Sequence, residues 1–256
     1  MMRLAPLIPA LAVLLSACSP AEPDLGSETP SARVPYLVTA DGEVEVTCGN
    51  ADGWVPSVMA AGIPGILTDD EARRLFQSVL DDPATGPEVS RTLFRNGVDV
   101  EWRVLRADDT SLAIGLGPWT EDGPAGGARL LSLEAEGDSW RASGWGGCQL
   151  SPVLAPGLVW VEVKGYDADP GSRTFTAEVT ERACASGRDP GPFLREPFVV
   201  ETDETVTIYW TSESPVGGQT CQGNPIVKRT VELSEPLGSR TVLDGFRYPP
   251  RPAPAS

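Results

Sequence analysis

From Thr68 to Pro83 the apolar residues recur at Ala72, Leu75, Phe76, Val79 and Leu80, with charged and polar residues between them. Steps of three and four set these side chains on one stripe, which predicts an amphipathic helix. Thr68-Asp69-Asp70-Glu71 marks its start. There a threonine hydroxyl can accept the amide three residues on, while the glutamate reaches back to the cap amide. The aspartates suit the positive end of the helix dipole, and Asp81-Asp82-Pro83 stops the run. A shorter helix is predicted around Glu88 to Arg95.

Upstream, Tyr36 to Val38 and Glu43 to Cys48 read as a hairpin turned by Asp41-Gly42, and Ala51 to Gly65 reads as a loop of small residues and proline. Downstream the period changes to two. Val98 to Val104 alternates apolar with charged residues, and Ala107 to Thr110 turns the chain into Ser111 to Leu116. A Gly/Pro-rich loop leads to Ala128 to Glu136, and Gly137-Asp138 turns that strand into Ser139 to Cys148. The predicted fold of residues 35–150 is α+β: the helix stripe covers the apolar face of an antiparallel β-meander.

The run Ser151-Pro152-Val153-Leu154-Ala155-Pro156-Gly157 interrupts the pattern and marks a boundary. Six short strands are predicted beyond it: Leu158 to Lys164, Thr174 to Thr180, Pro197 to Glu201, Thr205 to Trp210, Ile226 to Leu233 and Thr241 to Leu243. Over residues 157–247 this pattern predicts an all-β sandwich resembling immunoglobulin and fibronectin type III domains. Residues 248–256 read as a disordered, polyproline-like tail.

The opening of the chain has a different logic. Arg3 precedes Leu4 to Ala17, an uncharged stretch too short to span a bilayer, which needs about 20 apolar residues. It ends Leu15-Ser16-Ala17-Cys18, which resembles the bacterial lipobox. The resemblance implies a lipoprotein signal peptide over residues 1–17 and lipid attachment at Cys18. Each buried methylene of an attached chain contributes about 0.8 kcal/mol, so two or three chains make a firm anchor. Residues 18–34, rich in proline, serine and glutamate, read as a disordered tether. The expectation is a body tethered to the extracytoplasmic face of the cell membrane, with the lipid as its membrane contact.

Composition narrows the chemistry. A net charge of −16 with no basic stripe excludes a nucleic-acid partner. The chain has no histidine, which removes imidazole acid–base chemistry, Ser-His-Asp triads and His-ligated zinc. Once Cys18 is lipidated, Cys48, Cys148, Cys184 and Cys221 remain, none in a Cys-x-x-Cys pair. Four cysteines in an exported chain predict two disulfides, with three possible pairings. One bridge in each half, Cys48–Cys148 and Cys184–Cys221, is the expected arrangement.

Several stretches are distinctive: Glu181-Arg182-Ala183-Cys184-Ala185-Ser186-Gly187, Cys221-Gln222-Gly223-Asn224-Pro225, and Glu235-Pro236-Leu237-Gly238-Ser239-Arg240 leading to Leu243-Asp244-Gly245. They resemble a group of uncharacterised actinobacterial secreted or lipid-anchored proteins. That resemblance implies the address and the paired cysteines, and it transfers no functional residue.

Candidate reactive groups are few. Asp69, Asp70 and Glu71 are accounted for by the helix cap, and Asp108-Asp109 by a turn. Asp167 and Asp169 form the Asp-x-Asp start of a calcium loop without its later ligands. Among seven tryptophans, Trp119 in a Gly/Pro loop is the best placed to be exposed and to stack on a ligand. Ser186 lacks a Gly-x-Ser-x-Gly frame. No cofactor is implied. The leading expectation is a non-enzymatic envelope protein that engages a protein or glycan partner. The alternatives are a carboxylate-dependent hydrolase of cell-wall glycan and a small-molecule-binding lipoprotein.

Overall fold

The computed structural model of the chain describes residues 34–49, 53–94, 97–137 and 139–255; the predicted leader, Cys18 and nearly all of the tether lie outside the described residues. The hairpin turn is formed: the Thr39 amide donates to the Glu43 carbonyl at 2.9 Å, and strand β1 (Val46–Cys48) follows. The stretch expected to be a loop contains helix α1 (Pro56–Ala61). Its signal was Pro56 in the first turn, where no amide is needed, and Met59 anchors it in the core.

Helix α2 (Asp69–Asp81) starts at the predicted box. The Glu71 amide donates to Thr68 Oγ1 at 3.3 Å, and the Thr68 amide donates to Glu71 Oε2 at 2.8 Å. Ala72, Phe76 and Val79 are its fully buried residues. Helix α3 (Gly86–Leu93) begins two residues before the predicted start.

The meander runs through β2 (Trp102–Ala107), β3 (Ser111–Leu116), a small hairpin of β4 (Trp119–Thr120) with β5 (Gly123–Pro124), then β6 (Arg129–Glu136) and β7 (Ser139–Gly146). Strands β2, β3, β6 and β7 form one antiparallel sheet in chain order. Both of its faces are covered, where one was expected. Val104, Leu112, Ile114 and Leu131 pack under α2 and α3. Leu105, Ala113 and Leu130 pack on the other side with Trp54, Met59, Trp119 and Leu150. This is why Leu112 to Leu116 is apolar without alternation, as in any strand buried on two faces.

Strand β8 (Leu150–Pro152) returns to pair antiparallel with β1, and the Cys48–Cys148 disulfide fastens that pair. The second half holds β9 (Leu158–Asp167), β10 (Thr174–Glu181), β11 (Phe198–Glu201), β12 (Thr205–Glu213), β13 (Val227–Glu232), β14 (Thr241–Asp244) and β15 (Arg251–Pro252). They join one seven-stranded sheet in the order β13-β10-β9-β12-β14-β15, with β11 also on β12.

Strand β12 changes partner along its length. Trp210–Glu213 pair antiparallel with Leu158–Val161 of β9, whereas Thr205–Ile208 run parallel to Thr241–Asp244 of β14. The core between these strands includes Val161, Val163, Phe175, Ile208, Trp210 and Val242. The chain is thus mainly β with a few helices in its first half, an α+β fold whose sheets are antiparallel apart from β12–β14.

The tail expected to be disordered is part of the sheet. Strand β15 pairs with β14, the Ala253 amide donates to the Val242 carbonyl at 2.9 Å, and the Tyr166 amide donates to the Pro254 carbonyl at 3.0 Å. Prolines lack donors but keep their carbonyls and favour extended backbone, so a proline-rich segment can serve at a sheet edge. The two halves also meet directly: the Tyr36 and Tyr209 rings lie 5.0 Å apart, and the Tyr248 amide donates to the Leu150 carbonyl at 3.0 Å.

Candidate functional site

Alternation along β9 sends Val161 and Val163 into the core and turns Trp160, Glu162 and Lys164 the other way. Trp160 lies under the segment that joins the halves, donating its indole N–H to the Pro152 carbonyl at 2.8 Å. Its ring neighbours are Phe246 at 6.3 Å and Tyr209 at 6.5 Å. Burial, with the Tyr36 hydroxyl second, holds Tyr209 protonated well above the ordinary tyrosine range.

Beside Trp160 opens a cleft of about 590 Å³. Thr47, Cys48, Gly147 and Gln149 line one side, and Val159, Trp160, Arg182 and Phe246 line the other. The size is within the range of small-ligand sites, ~300–1,000 Å³. Among the described residues of the lining, Arg182 is the one that carries a charge.

Behind the cleft wall lies a charge cluster centred on Glu162, whose side chain is 11% exposed. It accepts from Arg182 Nη1 at 2.9 Å and Arg247 Nη2 at 3.2 Å, with Lys164 Nζ at 3.4 Å. The Phe246 ring sits beneath both guanidinium groups, 5.1 Å from that of Arg182 and 4.8 Å from that of Arg247. Asp244 is buried next to this cluster and accepts the amides of Phe246 at 3.1 Å and Val163 at 3.4 Å. Burial pushes its carboxyl up to about 6; the charge of Glu162 adds to that, while the amide donors and Arg247 oppose it. With the oxygens of both carboxylates engaged, the cluster is arranged to hold charge in place.

A second buried pair stabilises the neighbouring loop. Glu181 is fully buried and accepts both Arg188 Nε at 3.0 Å and Arg188 Nη2 at 2.6 Å. The Cys184–Cys221 disulfide and Asn224, which donates to the Glu181 and Ala183 carbonyls, tie the following segments to it. Ser186 closes this loop through Gln219 and Thr220, a structural role that explains a serine here without any catalytic frame.

Of the residues singled out from the sequence, the four cysteines are bonded as expected, Cys48 to Cys148 and Cys184 to Cys221. Cys18 is outside the described residues. Trp119 is a correction: it is 4% exposed, with its indole against Gly115 and edge-on to Trp54, so it offers no stacking surface. Asp167 and Asp169 are exposed, and Asp169 Oδ1 accepts the Gly171 amide at 2.9 Å, a turn-making bond. No group of three or more His, Cys, Asp or Glu side chains placed to hold a metal ion occurs among the described residues.

The residues that build the cleft and its cluster were missed. Glu162, Arg182 and Arg247 are separated by up to 85 positions and meet only through the strand order. A partial signal existed in Trp160-Val161-Glu162-Val163-Lys164, where the face opposite the core carries an aromatic ring and two charges.

Two disulfides point to an oxidising, extracytoplasmic environment, and no helix among the described residues is long and apolar enough to cross a membrane. Compared with protein-family models, curated proteins and solved structures, the chain has no match.

Proposed function

We propose that this chain is a lipid-anchored protein on the extracytoplasmic face of the cell membrane, held through Cys18, which binds a ligand or envelope partner and does not transform it. The observation that carries this reading is the cleft beside Trp160: it has the volume of a ligand site, and the charged groups behind it are already paired. The lipobox pattern at residues 15–18 supports the anchor, and the two disulfides suit the compartment. The likeness to actinobacterial secreted or lipid-anchored proteins supports the same address.

The reading includes two bodies, residues 35–150 and 157–247, the second an immunoglobulin- or fibronectin-like sandwich. In support of the sandwich are its short strands and the core enclosed between β9, β10, β12 and β14. Hydrolysis of cell-wall glycan is a second reading, favoured by the raised Asp244 carboxyl beside Glu162. Against it stands the placement of both groups behind the cleft wall with their oxygens engaged.

The test uses the full-length lipidated protein in its envelope. A photoreactive residue replacing Val159 in the cleft is compared with one replacing the exposed Glu232. The expected result is a covalent adduct from position 159 alone, no sugar release from purified cell wall, and loss of membrane association in Cys18→Ala. Glycan release abolished by Asp244→Asn would replace this reading with the hydrolase.

A further inference from the structure

We infer that the cleft takes an organic anion with an apolar body, its carboxylate head on Arg182 and its apolar part against Trp160 and Phe246. The inference deepens the binding reading above and rests on it.

Acidic residues outnumber basic ones by 36 to 20, yet three cations, Arg182, Arg247 and Lys164, converge on Glu162, with the buried Asp244 beside them. Among the described residues the cleft lining contains Arg182 and no acid. In a protein whose overall field repels anions, Arg182 is a cation turned toward a concave surface.

Arg182 also keeps donor capacity to spare. Arg182 gives Nη1 to Glu162 while its side chain remains 43% exposed. The Arg182 guanidinium lies 5.1 Å from the centre of the Phe246 ring, and the donors it does not give to Glu162 form a fork that suits the two oxygens of a carboxylate.

Val153, Leu154 and Val159 extend the apolar surface begun by Trp160 and Phe246. A small inorganic ion would leave that surface unused, and an uncharged apolar ligand would cover the donors that Arg182 does not give to Glu162 without accepting from them.

The test titrates decanoate into the full chain, following displacement of anilinonaphthalene sulfonate and the heat of binding. Decanol supplies the tail without the charge, and acetate the charge without the tail. One decanoate is expected to bind per chain, with decanol and acetate at least ten-fold weaker. Arg182→Gln should weaken decanoate at least ten-fold, and Val159→Trp should fill the site and abolish binding. Arg182→Lys, which keeps the charge, covers the case in which the glutamine variant does not fold, and it should retain part of the affinity.

Equal affinity for decanol and decanoate, or an unaltered Arg182→Gln, would overturn the head-group assignment while leaving a binding cleft. Binding that survives Val159→Trp would overturn the location. No binding of any probe, alongside a cleft-specific adduct from position 159, would overturn the anion and leave the binding function standing.

Discussion

Asp244 Oδ2 accepts the amide of Val163 at 3.4 Å, at the fork where β12 exchanges β9 for β14. Where paired strands diverge, an inward amide loses its acceptor, and a buried unpaired amide costs about 1–3 kcal/mol. One side chain from the incoming strand fills that vacancy. The same carboxylate also accepts the Phe246 amide and so fixes the turn that carries Phe246 to the cleft and Arg247 to Glu162 behind it.

This placement makes stability depend on pH. The folded protein holds the Asp244 proton up to about pH 6, whereas the unfolded chain releases it near the ordinary carboxylate value of 3.8. Between those values the folded state binds the extra proton, so this group's contribution is fully present below pH ~4 and is lost as the pH rises through ~6. The size corresponds to roughly 3 kcal/mol. Asp244→Asn removes the titration, while carboxyls held low by hydrogen bonds, such as Asp82 and Glu201, are common to both proteins. Urea midpoints should therefore shift in favour of the asparagine variant between pH 4.5 and 7. A difference that stays constant across that range would remove Glu162 and burial as the cause.

The two disulfides should contribute unequally. They close loops of 100 and 37 residues, for which chain entropy gives about 4.7 and about 3.8 kcal/mol. Replacing Cys48 and Cys148 by alanine should accordingly cost more than replacing Cys184 and Cys221. The first pair also borders the cleft, so its loss should weaken ligand binding in folded protein at low temperature. Denaturation of the two double variants beside the parent decides it, and a larger loss for Cys184/Cys221 would show that local strain or residual unfolded structure dominates.

Gly115 and Trp119 form a fitted contact. A methyl group on Gly115 would sit 2.8 Å from Trp119 Nε1 and 2.9 Å from Cε2, with Leu105, Ala113 and Leu130 closing that side of the sheet. Gly115→Ala should destabilise by about 1–3 kcal/mol through overpacking. Combining it with Trp119→Leu should cost less than the sum of the single changes, because the second removes what the first strikes. Strict additivity in urea unfolding would mean that the backbone shifts freely at Gly115.

This contact also shows where the sequence could be read and where it could not. The capping box at Thr68, the stripe on α2, the meander order and most strand positions of the second half follow from local spacing and turn residues, and they are present. Trp119 was misjudged because its Gly/Pro surroundings describe the backbone, while its burial depends on Gly115 lacking a side chain across a strand. The cleft was illegible for the same reason: β9, the end of β10 and the turn after β14 supply Trp160, Arg182 and Phe246, and no local pattern encodes that meeting. Local chemistry specifies elements, and partner choice between distant strands specifies the site.

The last eight described residues provide the sharpest case. Their prolines argue for an independent tail, yet Ala253 is buried, β15 pairs with β14, and the Pro254 carbonyl accepts from Tyr166 on β9. Strands β14 and β9 are thereby linked on the side opposite the Asp244 fork. Deleting residues 250–256 would strip the amide of Tyr166 of its acceptor, leave the Val242 carbonyl without the Ala253 donor, and expose the core around Val242. Losing the β14–β15 pairing, these two backbone bonds and that apolar cover should destabilise by about 2–4 kcal/mol. Because β14 leads directly into Asp244 and Phe246, the deletion should also speed hydrogen exchange at the Val163 and Phe246 amides. Unchanged thermal stability, with unchanged exchange at those two amides, would show that the segment rests on the sheet without holding it.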